Sequence, residues 1–248
     1  MTQIDTLHQK RDPRDFAQSH SDDAFAPFQR ASPDRPFVVA QIGQSLDGRI
    51  ATLSGESRDI SGHAALDHLH RIRAHVDAVV VGAGTVVADD PALTVRRVPG
   101  RNPARVVIDP NGRLHSNFRW LCEDGARRIL VTRPGVAAPP GVEQIALPLR
   151  GAMIAPASIV EALFASGLRR ILIEGGARTV GAFIEAGCVD RLHALVAPVI
   201  LGSGKTGLDL APIQKLDMAL RPPTRAYILA GGDVLFDCDF SACRRGGN

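Results

Sequence analysis

From Pro36 onward the chain alternates short apolar runs with segments of helical spacing, and this alternation narrows the possible folds more than any other feature. The runs are FVVAQI (37–42), AVVVG (78–82), ARVVID (104–109), RILVT (128–132), EQIAL (143–147), RILIE (170–174) and LHALVAPVI (192–200). Most are apolar throughout, as strands covered on both faces must be. Between them, HAALDHLHRIRAH (63–75) places Leu66, Leu69 and Ile72 on one side. PASIVEALFASG (156–167) opens at a proline and stops at a glycine, and RTVGAFIEAG (178–187) gathers Val180, Phe183 and Ile184 before another glycine. AYILAGGDVLFDCDF (226–240) reads instead as two strands joined by Gly-Gly-Asp, a hairpin. The predicted class is α/β: a mostly parallel sheet flanked by helices, with an antiparallel C-terminal hairpin. It forms one domain over 36–242. Residues 1–35 are polar, charge-mixed and proline-punctuated, and are expected to be a mobile extension that Phe16, Phe25 and Phe28 can dock onto the body or a second subunit. Residues 243–248 are a tail.

Charge and composition exclude several functions. The net charge is +3, with basic residues scattered in pairs, and aromatics make up 4%. Neither a basic stripe nor a base-stacking platform is present, so no nucleic-acid partner is expected. The four cysteines, Cys122, Cys188, Cys238 and Cys243, form no CxxC pair and read as reduced thiols. No apolar run reaches membrane-spanning length and no signal peptide is evident, so the expected location is cytoplasmic, with no membrane partner. His63, His68, His70 and His75 lack metal-ligand spacing, and no metal is expected. No GxSxG nucleophile motif occurs.

In open α/β sheets ligands bind beyond the carboxyl ends of the strands, which directs attention to four loops. GSGKT (202–206) resembles the end of a phosphate-binding P-loop, but the required earlier glycine is Val199, and Gly207 and Pro212 make a poor helix start. The loop 41–57 has glycines at 43, 48 and 55 that let backbone approach a ligand. The segment 79–96 carries Gly-Ala-Gly, a helical turn near Thr85, and Asp89-Asp90; Val87 replaces the third glycine of a dinucleotide fingerprint. ILIEGGARTVGAF (171–183) is the strongest signal: a buried strand ends in Glu174-Gly-Gly and a helix starts at once. Free amides at such a helix start suit a pyrophosphate.

Together SLDGR, SGES, RA…DAVVVGAGTV.ADDPALTVR, VVID, EGG and VAPVILGSG, in this order over about 36–240, resemble the reductase domain of riboflavin biosynthesis. That domain is the C-terminal half of the bifunctional pyrimidine deaminase/reductase. The resemblance implies a dihydrofolate-reductase-like fold, a homodimer, and hydride transfer from NADPH to C1′ of a ribosylaminopyrimidine 5′-phosphate. It makes this chain similar to a 5-amino-6-(5-phosphoribosylamino)uracil reductase. On this basis Ser57, Arg73, Leu93 and Arg96 would hold the substrate, the hydroxyl and guanidiniums gripping its phosphate. Glu174 and Gln41 would stand at the reacting sugar. Gly43, Asp59, Thr85, Asp89 and the turn Gly176, Ala177, Arg178, Thr179, Val180, Gly181 and Ala182 would line the NADPH site, with Thr132 and Arg133 at the adenosine phosphates. Three positions depart from the pattern. Gln41 replaces a common lysine, Asp59 a common tryptophan, and Pro110 a common serine. The deaminase motif H-x-E with P-C-x-x-C is absent. Two alternatives therefore stand beside the main reading: a reductase of another phosphorylated sugar-amine or pterin-like compound, and an NADPH-binding protein without turnover.

Overall fold

The computed structural model describes residues 21–114 and 117–241. A 3-10 turn (Ser21–Phe25) leads into the four-residue helix α1 (Ala26–Gln29), then β1 (Phe37–Ser45), β2 (Arg49–Thr52), α2 (His63–His75), β3 (Ala78–Gly82), α3 (Ala83–Asp89) and β4 (Ala104–Ile108). There follow β5 (Arg128–Thr132), β6 (Glu143–Ala146), β7 (Leu149–Arg150), β8 (Met153–Ile154), α4 (Pro156–Ala165), β9 (Arg170–Glu174), α5 (Ala177–Glu185), β10 (Arg191–Ala197), β11 (Gly204–Thr206), β12 (Thr224–Ile228) and β13 (Val234–Asp239). Nine strands make one sheet in the order β12-β13-β10-β1-β9-β3-β4-β5-β6. It is parallel from β10 to β6, and β12–β13 is the antiparallel edge. The expected architecture is present.

Alternate residues of each central strand enter different cores, which is why the runs are apolar at every position. Val38, Ala40, Val80, Val106, Ile129, Val131, Ile171 and Ile173 pack under α4 and α5 through Ile159, Leu163, Val180 and Phe183. Phe37, Val39, Val79, Val81, Val107, Leu130 and Leu172 pack under α2 and α3 through Ile72 and Val86. From β3 the chain moves towards β6, whereas β9 leads through α5 to β10 on the other side of β1. The crevice at this reversal opens beyond the carboxyl ends of β1 and β9.

The described part of the N-terminal segment packs on the body through two of the three phenylalanines expected to be able to dock it. Phe25 and Phe28 are buried in the α2-side core, and Phe25 lies 5.1 Å from the His68 ring and 5.0 Å from that of His75. Burying each ring contributes about 1.5–3 kcal/mol. Phe16 and the tail 243–248 lie outside the described residues. In α2, Leu66 is exposed. The inward face is Ala65, His68 and Ile72, because Phe25 and His193 supply the ring contacts that favour His68 inward. The run 192–200 stops as a strand at Ala197, before Pro198, which has no N–H for the ladder.

Candidate active site

Strand register places a row of polar side chains across the sheet. Gln41 pairs with Glu174 on β9 and with His193 on β10, and His193 pairs with Asp237 on β13. Gln41 continues the row of Phe37 and Val39, and Glu174 that of Leu172, so both lie on the face covered by α2. Arg73, in the last turn of α2, closes over them. Its Nε donates to Glu174 Oε2 at 2.9 Å, its second terminal nitrogen to Oε1, and its first to the Thr94 carbonyl at 2.9 Å. Both partners are buried. This alters the reading of Arg73: its fork is occupied by a carboxylate, so it holds Glu174 and the 90–97 loop in place. Removing one partner of such a buried pair costs about 3–5 kcal/mol. Gln41 is 6% exposed, and among the described residues its amide has no hydrogen-bond partner. An amide that is in register with a fixed carboxylate and has no partner of its own can hydrogen-bond a ligand.

The 90–97 loop is stitched down at several points, three of them beside the site. Asp90 Oδ1 accepts from the Arg119 N–H at 2.7 Å, Thr94 accepts from Arg73, and the Arg96 N–H donates to His70 Nδ1 at 3.1 Å. The bond to Nδ1 requires a neutral His70. Burial, followed by the charges of Arg73, Arg96 and Arg97, lowers its pKa to about 4. Asp90 and Leu93 have positive φ, 41° and 57°, and so does Asp59, at 64°, in the loop before α2. Such strain gathers at functional loops and costs about 1–3 kcal/mol per residue. The Leu93 side chain is in the core, which leaves only its backbone to face a ligand. Arg96 is exposed, Ser57 is half-buried, and neither has an ion-pair partner among the described residues.

Beyond β9 the chain turns through Gly175, at φ 116°, where a Cβ would stand 2.8 Å from Thr85 Oγ1. Thr85 Oγ1 accepts the Gly176 N–H at 3.1 Å, and α5 starts with no side-chain cap. Gly176, Ala177, Arg178 and Thr179 are on or near the surface. Val180 and Gly181 are not: Val180 is core, and a Cβ on Gly181 would lie 2.2 Å from the Asp209 carbonyl oxygen. These two, expected to line a cofactor, instead pack the helix on the body, and Ala182 lies beyond them, half-buried. Gly43 is likewise covered from within, by Ser61 Oγ at 2.9 Å from its would-be Cβ. Asp89, at the end of α3, is raised in pKa by desolvation, against the pull of Lys205 and Arg58. Thr132 is fully buried and its Oγ1 accepts from Gln144 Nε2 at 2.8 Å, so it cannot face a phosphate. Arg133 is exposed beside an open hollow of about 530 Å³ lined by Pro134, Val136 and Ala137.

The GSGKT loop has a different owner. Asp47 of SLDGR accepts from the backbone N–H groups of Leu201 at 3.1 Å and Gly202 at 2.7 Å, and from Ser45 Oγ at 2.6 Å. The Ser45 bond first, with the loop amides, holds the Asp47 pKa down to about 2. The amides a P-loop would offer to phosphate are thus tied to a carboxylate. Gly204 and Gly207 are needed for close packing, since Cβ atoms there would lie 2.4 Å from Ala51 O and 2.2 Å from Gln44 Oε1. The sequence pattern did not single out Asp47. It also missed Asp233, whose carboxylate accepts the Gly62 N–H at the start of α2. In each case an acidic residue beside turn glycines was the available signal.

A buried carboxylate at the reversal crevice of an α/β sheet, next to an uncapped glycine-led helix start, is the arrangement in which proteins of the open-sheet class receive phosphorylated ligands. The comparisons narrow this. The family model "RibD C-terminal domain" matches residues 36–225, and the chain belongs to that family. It is 34% identical over 216 residues to the 2,5-diamino-6-ribosylamino-4(3H)-pyrimidinone 5′-phosphate reductase of Methanothermobacter thermautotrophicus, covering 82% of this chain and 97% of that one. It is 36% identical over 204 residues to the riboflavin biosynthesis protein RibD of Mycobacterium tuberculosis, covering 81% of this chain and 53% of RibD. The chain thus spans about half the length of that relative. A crystal structure of the deaminase/reductase from Thermotoga maritima matches with TM-score 0.71 and 28% identity, over 88% of this chain and 59% of that one.

Proposed function

We propose that the protein is an NADPH-dependent reductase that converts a ribosylaminopyrimidine 5′-phosphate to its ribitylamino product in riboflavin biosynthesis. The observation that carries this reading is the buried Arg73–Glu174 pair beside the unpartnered Gln41 amide, one turn from the start of α5. Glu174, held by Arg73, presents a fixed carboxylate to donors on the sugar or the pyrimidine ring. Gln41 offers one acceptor and two donors but no ionisable proton, so it orients the reacting sugar and does not act as an acid. Ser57 and Arg96 take the phosphate end, as charge-assisted donors suit.

The residues present fit a dinucleotide. The uncapped amides at the start of α5, the φ of Gly175 and exposed Arg178 form a cradle for a pyrophosphate, and Arg133 with its adjoining hollow suits the adenosine end. Bound there, NADPH supplies the hydride. Asp59, where an aromatic ring would stack, provides no such face.

The homodimer is supported by the apolar side chains exposed along 199–228, among them Ile200, Leu216, Met218 and Ile228, the last on edge strand β12. The thiols of Cys122 and Cys238, neither in a disulfide, agree with a cytoplasmic setting. Among the described residues no helix is long and apolar enough to cross a membrane.

Gln41 and Asp59 favour one second reading, a reductase of another phosphorylated sugar-amine on the same scaffold. The deciding experiment follows NADPH oxidation with the 2,5-diamino pyrimidinone and the 5-amino uracil ribosylamino 5′-phosphates, each with its dephosphorylated form. Turnover that needs the phosphate is expected. NADPH binding without oxidation of either, or equal rates with and without phosphate, rejects the main reading. Complementation of a cell lacking only this reductase step checks it independently.

A further inference from the structure

Residues 21–29 precede β1 and the span shared with the reductase family, yet they are packed into the body. Helix α2 lies over β1, β9 and β3, where Ile72 shares a core with Val39, Leu172, Val79 and Val81. The 3-10 turn and α1 continue that layer over the β10–β13–β12 edge of the sheet. Ala24 joins Ala65 of α2 with Leu195, Tyr227 and Leu235 of the edge strands. The Phe28 ring lies 5.3 Å from that of Phe37 on β1 and 5.9 Å from that of His193 on β10.

Phe25 meets α2 itself. Its ring lies 5.1 Å from that of His68 and 5.0 Å from that of His75, and the Arg71 guanidinium stands 4.4 Å from its centroid. Positions 68, 71 and 75 form one stripe of the helix. His68 is tied in turn to the sheet, its Nε2 at 3.0 Å from His193 Nδ1. Other residues of the same helix hold the site. Arg73 donates to Glu174 and to the Thr94 carbonyl, and His70 accepts the Arg96 N–H. A packed helix moves as a unit, so a shift of α2 carries Arg73 and His70 with it.

We propose that Phe25 and Phe28 form a strap that positions the reductase site: by fixing α2 they set the placement of Arg73, and through it that of Glu174 and the 90–97 loop. Phe25 is a positioning residue, acting through α2. The effect on turnover rests on the reductase reading, whereas the clamp on α2 does not. Misplacing reacting groups by about 1 Å costs on the order of 100-fold in rate, so partial release of α2 is expected to cost about tenfold.

The test compares the full chain with Phe25→Ala, Phe25→Leu and, as a control in the opposite core, Leu163→Ala. Hydrogen exchange read by mass spectrometry reports the clamp without turnover. Phe25→Ala should exchange faster than Leu163→Ala across 71–76 and 94–97. Steady-state kinetics, at a temperature where every variant is folded, report the site. In Phe25→Ala kcat should fall about tenfold with NADPH affinity unchanged, whereas Phe25→Leu, which keeps most of the buried bulk, should lose about threefold. If the alanine variant does not fold, the leucine variant carries the same comparison at smaller amplitude. Leu163→Ala should lower Tm and leave kcat as it is. If exchange or kcat in the Phe25 variants matches Leu163→Ala, the inference is overturned and the reductase reading stands. If the wild type reduces neither pyrimidine, the reductase reading falls. Faster exchange confined to 71–76 and 94–97 in Phe25→Ala then still upholds the clamp, and its absence overturns it.

Discussion

Two glycine-rich loops follow buried strands in this molecule, Glu174-Gly-Gly after β9 and Leu201-Gly-Ser-Gly-Lys-Thr after β10, and either resembles a phosphate cradle in sequence. They differ in what holds their backbone amides. After β9 the Gly176 N–H goes to a threonine hydroxyl and the helix that follows has no side-chain cap. After β10 the amides of Leu201 and Gly202 are claimed by Asp47. The same residue chemistry leaves a helix start without a side-chain cap in one place and builds a structural clasp in the other. The number of glycines does not separate them. The separation comes from a carboxylate that lies 154 positions from Leu201 in sequence and in contact in space.

The comparison breaks most directly at the β9 turn. At Gly175 the φ of 116° and a would-be Cβ 2.8 Å from Thr85 Oγ1 leave no room for a side chain. Gly175→Val should abolish NADPH binding and lower Tm. Gly176 is the cleaner probe, because its φ of −67° is ordinary and its would-be Cβ comes no nearer than 3.6 Å to Thr85. Gly176→Val should keep Tm yet weaken NADPH by more than about tenfold, since backbone can no longer approach the pyrophosphate. Calorimetry that shows wild-type affinity in both variants would put the cofactor elsewhere.

The β10 loop should respond in stability and not in cofactor affinity. Asp47→Ala removes three hydrogen bonds and frees the loop, and Tm should fall by a few degrees. A large loss of NADPH affinity in this variant, with Tm intact, would contradict the clasp.

Acid should act on α2 before it acts on the β10 clasp. His68 and His70 have pKa values lowered to about 3 and about 4, in each case first by burial, from an ordinary 6.5. The unfolded chain binds their protons more readily, so their contribution to stability is whole above about 6.5 and is lost as pH falls towards 4 and 3. Around His68 stand His193, Arg71 and Asp237, and around His70 the arginines 73, 96 and 97 with Asp67. Asp47, lowered to about 2 from 3.8, has the carboxylate sign: its contribution is present above 3.8 and lost only as pH falls through about 2. Thermal melts from pH 7 to 4 should therefore show a falling Tm that is shallower in His70→Asn, which keeps an acceptor for the Arg96 amide without titrating. An unchanged slope would deny His70 that role.

Lys205 gives the smallest expected effect. A P-loop lysine would be indispensable, whereas here it is exposed near Asp89 and the SGES loop. Lys205→Ala should change NADPH affinity by no more than roughly threefold, as surface substitutions usually do. Detectable ATP binding by the wild type, lost in this variant, would reverse the comparison.

Much of the site was legible because local rules sufficed. Glu174 at a strand end before two glycines and a helix was found from the pattern alone. Other positions were misread because each depended on a partner far away in sequence. Thr132 turned inward to Gln144, Gly181 was filled by the Asp209 carbonyl, and Arg73 was taken by Glu174 across 101 positions.

The sequence by itself determined which segments are strands buried on both faces, that helices alternate with them, and that the chain closes in a hairpin. These follow from apolar periodicity and from glycine and proline stops, which act over a few residues. Tertiary structure alone decided that Phe25 and Phe28 join the core and that Gln41, Glu174, His193 and Asp237 stand in one row. It also decided which glycine loop has its amides claimed by a carboxylate. Those outcomes depend on strand register and on charge pairs between remote segments. Register is set by the packing of the whole sheet, and a one-residue slip would turn each of these side chains to the opposite face.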